Sequence, residues 1–214
     1  SLYWQLNDCW PVASLSGIDY FGTWKATHFF AKKANRPELP VLFLDGDTVK
    51  LYIINESGRA QKYQIGVSLR DIQSGHTKNV LSQSKDISDN ASTLLQKWHK
   101  AELIAETQKG SNILSVKLQR KGLAPVENTL LFTEPKNLKL PQANIELKLT
   151  KLQTGYEVAL SSSAFAKNVF LELKSGAGHF SDNFFDLWPD DTLKIHLHTV
   201  ENIKPDDILI TRLK

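Results

Sequence analysis

The chain has no methionine and one cysteine, Cys9, in 214 residues. A single cysteine excludes an internal disulfide. No histidine or asparagine pattern marks a thiol protease, so Cys9 reads as a small packed hydrophobe beside Trp4 and Trp10. The missing methionine, including at the first position, fits a chain whose natural start lies upstream. No apolar run approaches the roughly 20 residues of a membrane helix. No secretory leader is recognisable, which in a chain that starts upstream carries no information on compartment. A formal net charge of +3 with no basic patch or stripe argues against a nucleic-acid partner. No glycine-rich phosphate loop, paired zinc-ligand spacing or Gly-x-Ser-x-Gly elbow occurs. With 41% hydrophobic and 23% charged residues the chain is globular, long enough for one large or two small cores.

What is present begins with the stretch Trp4-Gln5-Leu6-Asn7-Asp8-Cys9-Trp10-Pro11. Aromatic faces stack on the apolar faces of sugar rings, and a neighbouring amide or carboxylate can grip hydroxyls. Asp8 also suits a bond to loop backbone, and Trp10 before Pro11 suits a packing anchor. Leu2–Leu6 reads as a short buried strand, residues 7–22 as an irregular loop, and Thr23–Ala34 as a helix. Thr23 would cap that helix, Lys25, Lys32 and Lys33 would face water, and Trp24, Phe29 and Phe30 would be core. Arg36-Pro37-Glu38-Leu39-Pro40 ends it. One strand and one helix cannot bury themselves, so residues 1–36 read as a remnant of something larger and weakly anchored.

Beyond Pro40 the apolar period becomes two. Val49/Leu51/Ile53, Ile65/Val67/Leu69 and Leu114/Val116/Leu118 each mark a half-buried strand, with turns at Asp45-Gly46-Asp47, Glu56-Ser57-Gly58 and Gln73-Ser74-Gly75. Residues 92–106 could stripe a helix through Leu94, Leu95, Trp98, Leu103 and Ile104, but their context favours strands. After a break at 133–141, strands recur at 145–149, 156–160, 169–173, 193–197 and 208–210. The pattern predicts a mainly β chain with two immunoglobulin-like antiparallel β-sandwiches, at 37–135 and 141–214. His196 and His198, two apart on a strand, read as a solvated face rather than metal ligands. Asn55-Glu56-Ser57 and Asn90-Ala91-Ser92 fit the glycosylation sequon.

Residues 3–33, with their order of Trp, amide, acid and Trp-Pro, resemble the last strand, loop and helix of the catalytic (β/α)8 barrel in β-mannosidases of glycoside hydrolase family 2. A second run, Gly178-His179-Phe180-Ser181-Asp182-Asn183-Phe184-Phe185-Asp186-Leu187-Trp188-Pro189, resembles the Ser-Asp-Asn-aromatic-Phe-Asp-Leu-x-Pro motif of the terminal immunoglobulin-like domain of these enzymes. Asp190-Asp191 replaces the glycine that usually follows. By its own chemistry this run is structural: Asp182 and Asn183 hold a turn while Phe184, Phe185 and Leu187 fill the sandwich. The resemblance implies that residues 1–36 end a catalytic barrel, within the C-terminal part of a retaining exo-glycosidase that removes terminal non-reducing β-D-mannose. Both catalytic glutamates would lie upstream, so the chain itself holds no catalytic residue and needs no metal or cofactor. Trp4 would pack beneath the sugar, with Asn7, Asp8 and Trp10 lining the mouth. The implied partners are a β-mannoside oligosaccharide and the chain's own upstream barrel, with no membrane. The implied setting is periplasmic, secreted or lysosomal. Two other readings fit: a related exo-β-glucosaminidase or β-galactosidase of the same family, and a free-standing β-sandwich module that binds carbohydrate or protein.

Overall fold

The computed structural model describes residues 4–176, 178–189 and 191–214, and the period-two stretches of the sequence are its strands. The chain divides into two units. One is Arg36–Lys139; the other joins the residues up to Asn35 with Leu140–Lys214.

Arg36–Lys139 carries seven strands: β1 (Glu38–Asp45), β2 (Thr48–Asn55), β3 (Gln61–Asp71), β4 (Thr77–Ile87), β5 (Ala91–His99), β6 (Asn112–Gln119) and β7 (Val126–Leu131). They form an antiparallel sheet of order β1-β2-β5 and another of order β4-β3-β6-β7. Alternation puts Val49, Leu51 and Ile53 of one sheet against Ile65, Val67, Leu114 and Val116 of the other, in one buried cluster. Three strands over four is the immunoglobulin-type sandwich. The ambiguous stretch splits: 91–99 is β5, and only Lys100–Leu103 closes a helical turn. Buried Tyr63 donates its hydroxyl to Glu38 Oε1 at 2.9 Å, with Arg120 3.2 Å from the same oxygen. Burial and that carboxylate push the phenol well above its ordinary pKa.

The first sequon does not present its asparagine. Asn55 is wholly buried, its Nδ2 donating to the carbonyls of Arg59, Ile87 and Ser88. Asn90 is exposed at a turn with φ of 52°.

The other unit holds one α-helix, α1 (Ala26–Ala34), a 3-10 turn at Pro205–Asp207 and seven strands among its described residues: β8 (Ile145–Lys151), β9 (Tyr156–Ser162), β10 (Ala166–Leu173), β11 (His179–Phe180), β12 (Phe185–Leu187), β13 (Leu193–His198) and β14 (Ile208–Thr211). The sheets run β11-β13-β9-β8 and β12-β10-β14, enclosing Val158, Leu160, Val169, Leu171, Leu187 and Leu197. Gly155 turns the chain between β8 and β9 at φ of 76°, where a Cβ would collide with Leu197 O.

The Gly178–Pro189 run works as a brace. Asn183 stands in for a missing strand partner: its Oδ1 accepts the Leu171 N–H and its Nδ2 donates to Leu171 O, both at 2.8 Å. Asp186 accepts the Asn168 N–H at 3.0 Å and pairs with Lys167 at 2.9 Å, closing a register shift in β10. Phe185 and Leu187 enter the core as expected. Phe184 does not: it is half-buried, sits at φ of 52° and stacks on Phe170 with centroids 4.7 Å apart.

Four expectations for residues 4–35 change. Leu2 and Tyr3 lie outside the described residues, and Trp4–Leu6 form no strand. Ladder contacts there reduce to isolated bridges of Ile18 with Asn7 and Trp24. The helix starts at Ala26 with Lys25 in the capping position and no side-chain cap, because Trp24 is bridged to Ile18 and the chain stays extended through Lys25. The segment is also not loose. Lys32 Nζ donates to Ser181 O at 2.8 Å, and Lys33 Nζ donates to the carbonyls of Asn183 and Phe184 and pairs with Asp182 at 3.4 Å. Phe29 is buried, while Phe30 is 49% exposed.

Asn183→Ala orphans both Leu171 backbone groups in a buried setting and should destabilise this unit by about 2–4 kcal/mol. Urea unfolding measures it; an unchanged midpoint would remove Asn183 from the bracing role.

Candidate functional site

The tryptophan-rich loop is held from the inside by one ion pair. Asp8 is buried, its side chain without exposure, and its Oδ2 lies 2.8 Å from Lys25 Nζ. Its Oδ1 accepts the Ser14 hydroxyl at 2.5 Å. Lys25 Nζ also donates to Ser16 Oγ at 2.7 Å, and Ser16 Oγ donates to Ile18 O at 2.9 Å. The Asp8 N–H donates to Ile18 O, so residues 14–18 and 25 close around one carboxylate. A buried charge requires such partners. The Lys25 hydrogen bond, then the Ser14 hydroxyl, hold Asp8 below the ordinary carboxylate pKa against the opposing effect of burial. A second acid, Asp19, accepts the N–H groups of Phe21 and Thr23 and makes the turn at Gly22.

The polar residues are inside and the aromatics outside. Trp4 is 84% exposed, Trp10 63%, Leu15 82% and Phe21 77%. Trp10 is therefore not a packing anchor, and Cys9 is exposed rather than packed between the tryptophans. Asn7 is exposed, its Nδ2 3.2 Å from Asp8 O. Trp4, Asn7 and Trp10 lie on the solvent side of the loop, while both Asp8 carboxylate oxygens are occupied behind it. An open cavity of about 570 Å³ is lined by Val12, Ala13, Ser14, Leu15, Asp19 and Lys25. The surface offers flat apolar faces and one amide, which suits the stacking of a ring-shaped neutral ligand or the docking of another apolar surface. Among the described residues no group of three or more His, Cys, Asp or Glu side chains is arranged to hold a metal ion.

Sequence reasoning placed Lys25 in water and did not single out Ser14 or Ser16. The cation that neutralises Asp8 lies 17 residues along the chain, a separation no periodicity marks. The one available signal was a lysine directly after Trp24, at the entry to an otherwise apolar helix.

Comparison with known proteins gives this arrangement a context. The family model described as a mannosidase Ig/CBM-like domain matches residues 47–137, and the Ig-fold domain model of mannosidases matches residues 140–212. The β-mannosidase of Bos taurus is 33% identical over 194 residues, covering 86% of this chain and 22% of that protein. β-Mannosidase A of Aspergillus fumigatus is 24% identical, covering 98% of this chain and 24% of its own length. The chain thus spans less than a quarter of the curated relatives it matches. Among solved structures, the β-D-mannosidase of Dictyoglomus thermophilum has a TM-score of 0.83 at 22% identity, covering 98% of this chain and 25% of that one. The exo-chitosanase of Amycolatopsis orientalis has a TM-score of 0.67 at 15% identity, covering 98% and 29%. The last two likenesses are of fold.

The Asp8 pair sets an acid limit on the loop. Its stabilisation is complete above the ordinary carboxylate pKa of about 4 and is lost as pH falls through the lower value of the folded state. Hydrogen exchange of residues 8–18 should rise below about pH 4, and Asp8→Asn or Lys25→Met should raise it at neutral pH. Unchanged protection in both variants would mean that the loop is held some other way.

Proposed function

We propose that this chain, which carries both immunoglobulin-type domains of the mannosidase families in order, is the C-terminal portion of a β-mannosidase. That enzyme is a retaining exo-glycosidase acting on terminal non-reducing β-D-mannose. The observation that carries the reading is the 33% identity to a mammalian β-mannosidase across 86% of the chain. In retaining glycosidases one carboxyl group protonates the leaving oxygen and a second, about 5 Å away, attacks the anomeric carbon. Those two groups belong to the part of the enzyme upstream of residue 1, and the sandwiches act as its non-catalytic support.

Residues 1–36 then complete the upstream catalytic barrel. The apolar side chains left in water at Trp4, Leu6, Trp10, Leu15 and Phe21 are supporting evidence, since side chains this large are rarely left bare in a group. Within that assembly Trp4, Asn7 and Trp10 form the sugar-facing edge, and Asp8 fixes them from behind through Lys25. No metal or cofactor takes part in this scheme.

Hydrolysis of an aryl β-mannoside, by this chain and by a longer chain extended upstream through a whole barrel, tests the proposal. Activity is expected in the longer chain only, with the aryl β-glucosaminide and β-galactoside turned over more slowly. Preference for either of those sugars would reassign the substrate, and activity in the 214 residues alone would overturn the division of labour. In the longer chain Trp4→Ala should lower kcat/KM by about tenfold or more, through loss of aromatic stacking.

A further inference from the structure

Four of the chain's six histidines lie on one seam, where residues 24–28 meet the edge of the β11-β13-β9-β8 sheet. His28 packs on Trp24 with ring centroids 4.4 Å apart. Trp24 also stacks on His179, at 4.4 Å and 28°. His179 stacks on His198, its direct cross-strand partner, at 4.7 Å and 18°. His198 meets His196 at 4.2 Å, with His196 Nδ1 and His198 Nε2 3.1 Å apart. Five rings make a continuous file from α1 to β13, and four of them are imidazoles.

This geometry is built for neutral imidazoles. The His196–His198 bond needs one N–H and one lone pair, so a fully protonated pair would set two donors against each other. A single imidazolium on Trp24 would be attracted to the indole face, but His179 and His198 cannot both be charged at 4.7 Å without repulsion. Around the file, Glu172 of β10 lines the same cleft as Trp24 and His179 and is exposed to water. Glu157 of β9 stands opposite His196 but is bound by Lys194 of β13 at 3.0 Å. From the helix side, Lys32 adds positive charge one turn from His28, while Lys33 is paired with Asp182 and Lys25 with Asp8.

We propose that the file His28–Trp24–His179–His198–His196 is a pH-responsive latch: neutral rings hold the start of α1 against β11 and β13, and protonation releases it. The linkage runs the same way. Burial, then Lys32, hold His28 below the ordinary histidine pKa, and burial, then His198 and His196, do so for His179. The released segment therefore binds protons more tightly than the latched one. Latching is fully stabilised above about pH 6.5 and weakens as pH falls through that value toward the lower pKa values of the latched state. The lysine contacts at Ser181, Asn183 and Phe184 involve no imidazole, so α1 stays tethered at its far end while Trp24 lifts. Lys25 follows Trp24 and carries Asp8, which couples the tryptophan loop to the latch. The latch stands without the glycosidase reading; only its effect on a sugar-binding edge rests on it.

Hydrogen exchange of the 214-residue chain, in EDTA and corrected for intrinsic rates, compares about pH 7.5 with about pH 5, either side of the histidine pKa. Residues 18–30 should lose about fivefold or more in protection at the lower pH, with β9 and β10 unchanged. In His28→Phe/His179→Phe the rings remain but the protons do not, and the loss should shrink to less than about twofold. Equal protection of the parent chain at both pH values, or an undiminished loss in the double variant, would overturn the latch. Should the double variant fail to dock at the higher pH, NMR titration of the parent chain decides. His28 and His179 titrating below the ordinary value, together with movement of the Trp24 indole signal, supports the latch; ordinary titration without that movement sinks it.

Discussion

Helix α1 depends on a small set of outward carbonyls on the C-terminal sandwich. Lys32 and Lys33 are neighbours on the last turn of the helix, and their ammonium groups take up the carbonyls of Ser181, Asn183 and Phe184. Those carbonyls face outward because Asn183 is bound to the Leu171 backbone and Phe184 is held in the left-handed region by its stack on Phe170. From the helix the dependence passes to Lys25, from Lys25 to the buried Asp8 carboxylate, and from Asp8 to the loop that presents Trp4 and Trp10. A charge-assisted contact at one end of a nine-residue helix thus bears on Lys25 at the other end and on the edge that Lys25 holds.

Short polar side chains organise both units, and they do it from inside. Asn55, Asn183 and Asp8 are all buried, and each satisfies backbone or hydroxyl groups that strand ladders leave open. Large aromatics, by contrast, are left in water along residues 4–21. That inversion of the usual distribution separates what serves the fold from what is offered to a partner. Asp8 and Asn183 serve the fold; Trp4, Asn7 and Trp10 are the surface.

Much of the β architecture was readable in one dimension. Val49, Leu51 and Ile53 alternate because a strand has a period of two and one face is dry, and β2 buries those residues along with Asn55. The same rule placed β3, β6, β9, β10 and β13. Helix reasoning failed for Thr23, which lies in extended chain beside the Ile18–Trp24 bridge, and for Phe30, whose face of α1 looks to solvent. Both failures come from competition among neighbours that only three-dimensional proximity defines. The candidate edge was legible as a composition, two tryptophans with an amide and an acid. The acid's role was not, because its counter-ion lies 17 residues away and outside any helical or strand period.

The sequence by itself determined the two sandwiches and the two motifs, since both rest on local pattern: alternation, turn residues and the crowding of aromatic with amide. Only the tertiary structure decided that the motifs meet. Trp24 and His179 are 155 positions apart in the chain and stack at 4.4 Å. Lys33 and Asn183 are separated by 150 and share a hydrogen bond. Contacts of that span depend on which elements the closed sheets bring side by side. Local propensity carries no record of that outcome.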